Sequence, residues 1–519
     1  MEHVYSTATE SPTTQPDPTH ATAAQLARAI ANGTMRSCDV VAAHVERIRA
    51  VNPRLNAVVL ERFDEARREA QEADRRVRTG GSLPPLLGVP ITLKECIDLA
   101  GTPSTFGIDG RRALAASDAP AVRRLRDAGA IVLAKTNVAQ HLMFFETDNP
   151  VFGRTHHPAS AERSCGGSSG GEAALIASFA SPLGIGTDLG GSVRNPAALC
   201  GLASFKPTAG RLVDEGTGSA PTGQELITSQ VGSLARTVDD VAIGVRVAMG
   251  DGDDGRGPLA SLEDVDVGKL RVAMMEDDGV FAACPAARRA VREARDRLVE
   301  LGARAVDVSL PSRRRAHEIF FEVMSADRAS HMTAVLRGSR VDPRIRQLVD
   351  SSTKPRPLVN LLLGLTGRKE ILAIVRHFGD GTAASYFALV DEVRAMRRQA
   401  LAAMQGADVV LTPPCPLPAY RHGACLEVGT LGTYTTYWNV LGWPAGVVPW
   451  TTVRADEESD RPPSKDPCHV AAREAERGSA GLPIGVQIAA APHRDHVVLA
   501  ALRALEFCSV SETLDWGTH

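Results

Sequence analysis

Aromatic residues make up only 4% of this 519-residue chain, so its interior has to be packed largely with Ala, Val, Leu and Gly. Long apolar runs are missing as well. No window reaches the roughly 18 uninterrupted apolar residues of a membrane span, and a membrane-spanning chain is not expected. Neither sign of charge dominates: the formal net charge is −3, which gives no reason to expect a nucleic acid or an anionic membrane as partner. The short basic run at 313–315 reads as solvated surface. The nine cysteines contain no C-x-x-C pair and no Cys/His grouping at zinc spacing, which excludes a recognisable structural zinc site. Their scatter and odd number suit a reducing compartment. Residues 1–20 lack the apolar core of a signal peptide and, polar and rich in Pro and Thr, are expected to be a disordered tail. A cytoplasmic location is the expectation.

With 44% apolar and 23% charged residues, the chain otherwise has the balance of a globular protein with a full-sized core. Apolar stripes at helical spacing run through 23–77. A Pro/Gly-bounded apolar run at 84–93 reads as a buried strand that ends at Lys94. A helix over 122–128, stopped by Gly129, leads to a strand at 131–134. Further strands are expected at 183–186, 270–275, 305–308, 408–412, 446–452 and 484–489, with helices at 172–179 and 285–301. Residues 312–404 read as a largely helical, cap-like region broken near 354–357, and 454–480 as a mobile surface insertion. Alternating strands and helices without a composition break predict one large α/β/α sandwich around a central mixed, mostly parallel twisted sheet.

Two glycine-flanked serine loops fall within one short stretch: Gly166-Gly167-Ser168-Ser169-Gly170-Gly171 and Gly186-Thr187-Asp188-Leu189-Gly190-Gly191-Ser192. Glycine lets main-chain N–H groups approach a bound group closely. Phosphate readings fail on spacing. Neither loop carries the Lys of a P-loop, and Gly184-x-Gly186 is followed by Leu189 where a dinucleotide fingerprint has its third Gly. A structural turn and an oxyanion-binding turn both stay open for either loop taken alone.

A serine nucleophile needs a base. No G-x-S-x-G elbow surrounds Ser192, which argues against an α/β-hydrolase. Lys94, at the end of an apolar strand, is the other candidate, because burial disfavours the ammonium and frees an amine to act as a base. A structural ion-pair role is the alternative reading of the same burial. Cys96 and Cys165 border these segments, and small buried cysteines are usually packing residues.

The run GGSSGGEAALIASFASPLGIGTDLGGSVRNPAALCGLASFKPTAGR (166–211) resembles the defining segment of the amidase signature family. So do GVPITLKE (88–95), AKTNVAQ (134–140), ETDNPVFG (146–153), VGSLARTVDD (231–240), DVVLTPP (408–414), NVLGWPAGVVP (439–449) and GLPIGVQI (481–488). The likeness covers about 22–506 and is weakest over 250–400. It implies an amidase domain over 21–519 with its signature core at 82–245. It also implies an acyl-enzyme mechanism with Ser192 as nucleophile, Ser168 as the bridging serine after a cis Gly167–Ser168 peptide, and Lys94 as base. The backbone N–H groups of Leu189, Gly190, Gly191 and Ser192 would form the oxyanion hole, with Ser169, Asp188 and Arg194 holding the loops. No metal or organic cofactor is implied.

Within the family, the Leu-Lys-Glu at Lys94, the Glu172 and the Pro-Ala-Gly-Val-Val-Pro run are most similar to the fatty acid amide hydrolase branch. That favours a small-molecule apolar acyl or aryl amide as substrate, with a homodimer among the expected assemblies. Met143, Phe144, Phe145, Tyr434 and Trp438 are candidates for the substrate pocket, and Phe320 and Phe321 share their ambiguity. An alternative is the glutaminase subunit of a tRNA-dependent amidotransferase. That subunit's Ser-Leu-Asp-Gln before the Val-Gly step is Ile227-Thr228-Ser229-Gln230 here, which argues against it. A non-catalytic binding protein on the same scaffold is a third reading, disfavoured because all three triad residues are present.

Overall fold

Five consecutive residues with no solvent-facing side, Pro90–Lys94, form a strand covered on both faces, as expected of an apolar run without polar alternation. It lies inside an eleven-stranded sheet. In chain order the strands are β1 (Val58–Glu61), β2 (Pro90–Lys94), β3 (Ile131–Thr136), β4 (Leu183–Asp188), β5 (Ala203–Lys206) and β6 (Gln230–Ala235). They continue with β7 (Arg271–Met274), β8 (Arg304–Ala305), β9 (Val409–Thr412), β10 (Ala445–Thr452) and β11 (Pro483–Ala489). The spatial order is β1-β3-β2-β4-β6-β5-β10-β11-β9-β7-β8. The computed structural model describes residues 17–218, 223–365, 368–458 and 461–506.

The sheet is mixed, as expected, but the expectation that it is mostly parallel is corrected. The β2–β3, β2–β4, β7–β8 and β7–β9 ladders are parallel. The β1–β3, β4–β6, β5–β6, β5–β10, β10–β11 and β9–β11 ladders are antiparallel. The central strands β5 and β6 carry no clear strand signal in sequence, and every ladder from β4 through β6, β5, β10 and β11 to β9 is antiparallel. Helices Val238–Met249, Pro285–Glu300 and Asp495–Glu506 are packed with one another and the sheet around one apolar core. A second core holds helices Ser37–Leu55 and Gly170–Ala177 and the small residues Ala197 and Cys200 of helix Arg194–Cys200. The sheet thus separates two helical layers.

Three other expectations are corrected. The helical stretch over 23–77 is interrupted by β1, because Asn56 takes a left-handed conformation (φ 51°) that ends helix Ser37–Leu55 and Val58–Glu61 then pairs with β3. Most of the expected disordered tail, 1–16, lies outside the described residues, but Pro18–His20 forms a 3₁₀ turn with Thr19 buried. The segment expected to be a mobile insertion carries helix Pro467–Glu476, with Cys468, Ala472 and Ala475 buried. A buried Arg461–Glu476 ion pair at 3.0 Å braces it internally, and the bonds from Arg461 to the Ala282 carbonyl and from Arg163 to the carbonyls of Ala475, Arg477 and Gly478 fasten it to the body. Its polar composition serves these bonds. The cap-like region is a series of helices from Arg313–Met324 to Ala383–Ala403, with a break between Thr353 and Arg356. Among the described residues no helix is long and apolar enough to cross a membrane.

Candidate active site

Parallel pairing of β2 with β4 places Leu93 beside Ile185, so both strands end at the same edge. In open α/β sheets that carboxyl edge is where ligands bind. Lys94, the last residue of β2, is fully buried. Its Nζ donates to Ser168 Oγ at 2.8 Å, to Thr187 Oγ1 at 2.9 Å and to the Thr187 carbonyl at 3.2 Å. Burial pulls its pKa down from the usual lysine value to about 8, against the opposing pull of nearby Cys96, Asp188 and Glu172. A substantial neutral fraction therefore exists near pH 8. None of the amine's hydrogen bonds among the described residues goes to a carboxylate, so it is not held as half of an ion pair.

The first serine loop leads into helix Gly170–Ala177, whose residues are all buried. The Gly167–Ser168 peptide is cis. Thr147 anchors the loop, donating through Oγ1 to the Gly166 carbonyl and accepting from the Gly170 N–H, at 2.9 and 3.0 Å. Ser169 donates its N–H to the Ser192 carbonyl at 3.1 Å, which joins the two loops.

The second loop follows β4 and runs into helix Arg194–Cys200. Asp188 organises it. Its carboxylate accepts from the N–H groups of Gly191 (2.8 Å) and Val193 (3.3 Å) and pairs with Arg194 through two bonds of 2.9 Å. Burial alone would raise the Asp188 pKa, but the charge and hydrogen bonds of Arg194 overcome this and hold the carboxyl well below the usual range. Arg194 also reaches Gln487 on β11 (2.8 Å), Asn439 (2.6 Å) and the Thr435 carbonyl (3.2 Å). Gly191 has φ +129°, and a Cβ there would meet Thr435 Oγ1 at 2.2 Å; only glycine fits. Among the described residues the N–H groups of Gly190 and Ser192 donate to no protein acceptor. That of Gly191 is taken by Asp188, so the expectation that it serves the oxyanion hole is corrected.

Removing the guanidinium would leave the Asp188 carboxylate buried with only part of its compensation. Arg194→Met is expected to lower stability by about 3–5 kcal/mol, read as a fall in thermal midpoint. An unchanged midpoint would show that the remaining donors suffice.

Ser168, Thr187, Leu189 and Ser192 line one cavity. Met143 is the only expected pocket residue on its wall. Phe144 packs beneath Arg344, whose guanidinium lies 5.2 Å from its ring, and Phe145 is part of the apolar cluster around Tyr420. The Tyr434 hydroxyl donates to the Phe281 carbonyl at 2.7 Å. Trp438 stacks on Trp443 with ring centres 5.9 Å apart. These four residues are packing, and the pocket expectation is corrected for each. The cavity wall comes instead from Gly218, Ser229 and from His141, Leu142, Met324, Asp327, Ala329, His331 and Met332. The two segments concerned each contain non-glycine residues with positive φ: His141 and Leu142, and Arg328 and Ala329. Their only sequence signal is proximity to Met143 and to the cap-like region. Cys96 and Cys165 do not line the cavity, and burial pushes the Cys165 thiol up to about 12.

Glu172 stands out in sequence only as a branch marker, yet it lies close behind Lys94. It is fully buried and accepts from Thr92 (2.5 Å) and Thr136 (2.7 Å). Burial pushes its carboxyl up to about 8, with the two threonines and Lys94 pulling the other way. When ionised, it favours the Lys94 ammonium. Glu172→Gln removes that charge and is expected to move the rising limb of the pH–activity curve to lower pH. A limb that stays in place would mean that Glu172 is already neutral across the working range.

The amidase family model matches residues 39–499, and this chain belongs to that family: it is an amide hydrolase of the amidase signature class. It is 32% identical over 503 residues to fatty acid amide hydrolase 1 of Caenorhabditis elegans, covering 93% of this chain and 87% of the relative. It is also 32% identical over 444 residues to a glutamyl-tRNA(Gln) amidotransferase subunit from Roseiflexus castenholzii, covering 82% of this chain and 89% of the relative. Among solved structures, a fatty acid amide hydrolase superposes with a TM-score of 0.78 at 26% identity, over 95% of this chain and 86% of that one.

Proposed function

We propose that the chain is a free-standing serine amidase that cleaves a small apolar acyl or aryl amide to a carboxylate and an amine or ammonia. The observation that carries this reading is the buried Lys94 amine at 2.8 Å from Ser168 Oγ, in the cavity wall that Ser168 shares with Ser192. Neutral Lys94 accepts the Ser168 proton while Ser168 takes that of Ser192. Ser192 Oγ then attacks the amide carbon, and the N–H groups of Leu189, Gly190 and Ser192 stabilise the oxyanion. Each such donor typically contributes about 2.7–4 kcal/mol to lowering the barrier. The proton returns through Ser168 to the leaving nitrogen, because an amide nitrogen departs only when protonated. Water attacks the acyl-enzyme by the reverse relay.

The purified chain is expected to hydrolyse members of a panel of acyl and aryl amides with no partner added, and to leave glutamine intact. Turnover of glutamine alone, with every other amide untouched, would transfer the assignment to the amidotransferase reading.

A further inference from the structure

The cavity that holds Ser168 and Ser192 is not uniformly apolar. Leu142, Met143, Met324 and Met332 supply apolar surface, but Ser229 and His141 also face it. Ser229 immediately precedes Gln230, which pairs with Asp188 at the end of β4, so it stands beside the turn that carries Ser192. It is 1% exposed, and its Oγ has no hydrogen-bond partner among the described residues. A buried hydroxyl is ordinarily satisfied. Thr187, on the same wall, shows the contrast, since its hydroxyl is engaged by Lys94.

His141 is held by its backbone, whose N–H donates to the Phe106 carbonyl at 2.8 Å. Its ring lies 6.2 Å from that of His331 and makes no hydrogen bond among the described residues. Burial, with His331 and Arg111 nearby, pushes its pKa down to about 4. The ring is therefore neutral at ordinary pH and offers one donor and one acceptor nitrogen. A plain alkyl chain filling the cavity would leave the Ser229 hydroxyl without a partner and strip water from the His141 ring, which is unfavourable.

We infer that Ser229 and His141 form a polar subsite in the reaction cavity, and that the substrates are compact amides bearing a second hydrogen-bonding group, such as a hydroxyl or ring N–H, in the part buried beside Ser192. This inference rests on the serine-amidase reading and narrows its substrate class away from unsubstituted long-chain acyl amides.

The test compares 3-phenylpropanamide, its three ring-hydroxylated isomers and decanamide as substrates of the wild type, Ser229→Ala and His141→Phe. In the wild type at least one hydroxylated isomer is expected to exceed the parent in kcat/KM by about tenfold, the worth of one good buried hydrogen bond. In one or both variants that ratio should collapse toward one, a change that a general loss of structure would not produce because it lowers both rates together. The subsite is refuted if no isomer outruns the parent, if decanamide outruns them all, or if the ratio survives both substitutions. Turnover of the parent or decanamide in those cases leaves the serine-amidase reading standing. No turnover of any amide, with Ser192 unreactive to a fluorophosphonate, removes both.

Discussion

Ser192→Ala is expected to eliminate measurable amide hydrolysis, a loss on the order of 10⁵–10⁶-fold in kcat, as for removal of the nucleophile from other serine hydrolases. The fold should survive, because the Ser192 backbone carries the structural bond to Ser169 and Ser192 lines the cavity. A fluorophosphonate should label the wild type once, within the peptide spanning 186–194, and should leave the variant unlabelled. Label recovered elsewhere, with activity retained in the variant, would move the nucleophile to another residue. The thiols are poor candidates for that role: Cys165 is held by burial in the unreactive form, and Cys96 lies behind Thr187 at 3.8 Å from its Oγ1.

Lys94→Met should be the next most severe, with a loss of about 10²–10⁴-fold from the missing general base. Methionine fills a similar volume and brings no charge into a buried site, so the expected result is a folded, slow enzyme. The pH dependence separates a base from a structural lysine. Because burial lowers the Lys94 pKa to about 8, the proton-accepting amine is the minor form below that pH and the major form above it. Wild-type activity should climb from neutral pH through about pH 8 and level off, and the residual rate of Lys94→Met should lose that rise. A wild-type profile that peaks in acid would contradict a lysine base.

The parts of the site that lie in continuous sequence are legible in it. The two serine loops are marked by their glycines, and Lys94 by its position at the end of a buried apolar run. The roles given to these residues, and the holding of the loops by Asp188 and Arg194, come from the family resemblance rather than from composition. What is not legible depends on which surfaces meet across long sequence separations. Phe144, Phe145, Tyr434 and Trp438 draw attention because aromatic rings often line pockets, yet each satisfies a packing demand elsewhere. The cavity wall is built from Met324, Ala329, His331 and Met332, contributed by a region whose register against 141–143 no local pattern encodes. The sheet shows the same limit: β5 (ASFK) and β6 (QVGSLA) carry no clear strand signal of their own and are defined by the neighbours they pair with. At 454–480 composition is misleading, since Arg461 and Glu476 are polar residues that pair in the interior.

Arg194 has a consequence for biosynthesis. Its guanidinium meets Asp188 six positions away, but its bond to Gln487 spans 293 positions. A nascent chain emerging from the ribosome will therefore present the Ser192 turn long before all the partners of that guanidinium exist. Chains that stop just short of Gln487 would already hold the Thr435 and Asn439 contacts yet lack the tether from the turn to β11, so the guanidinium completes its set of partners only close to the end of synthesis.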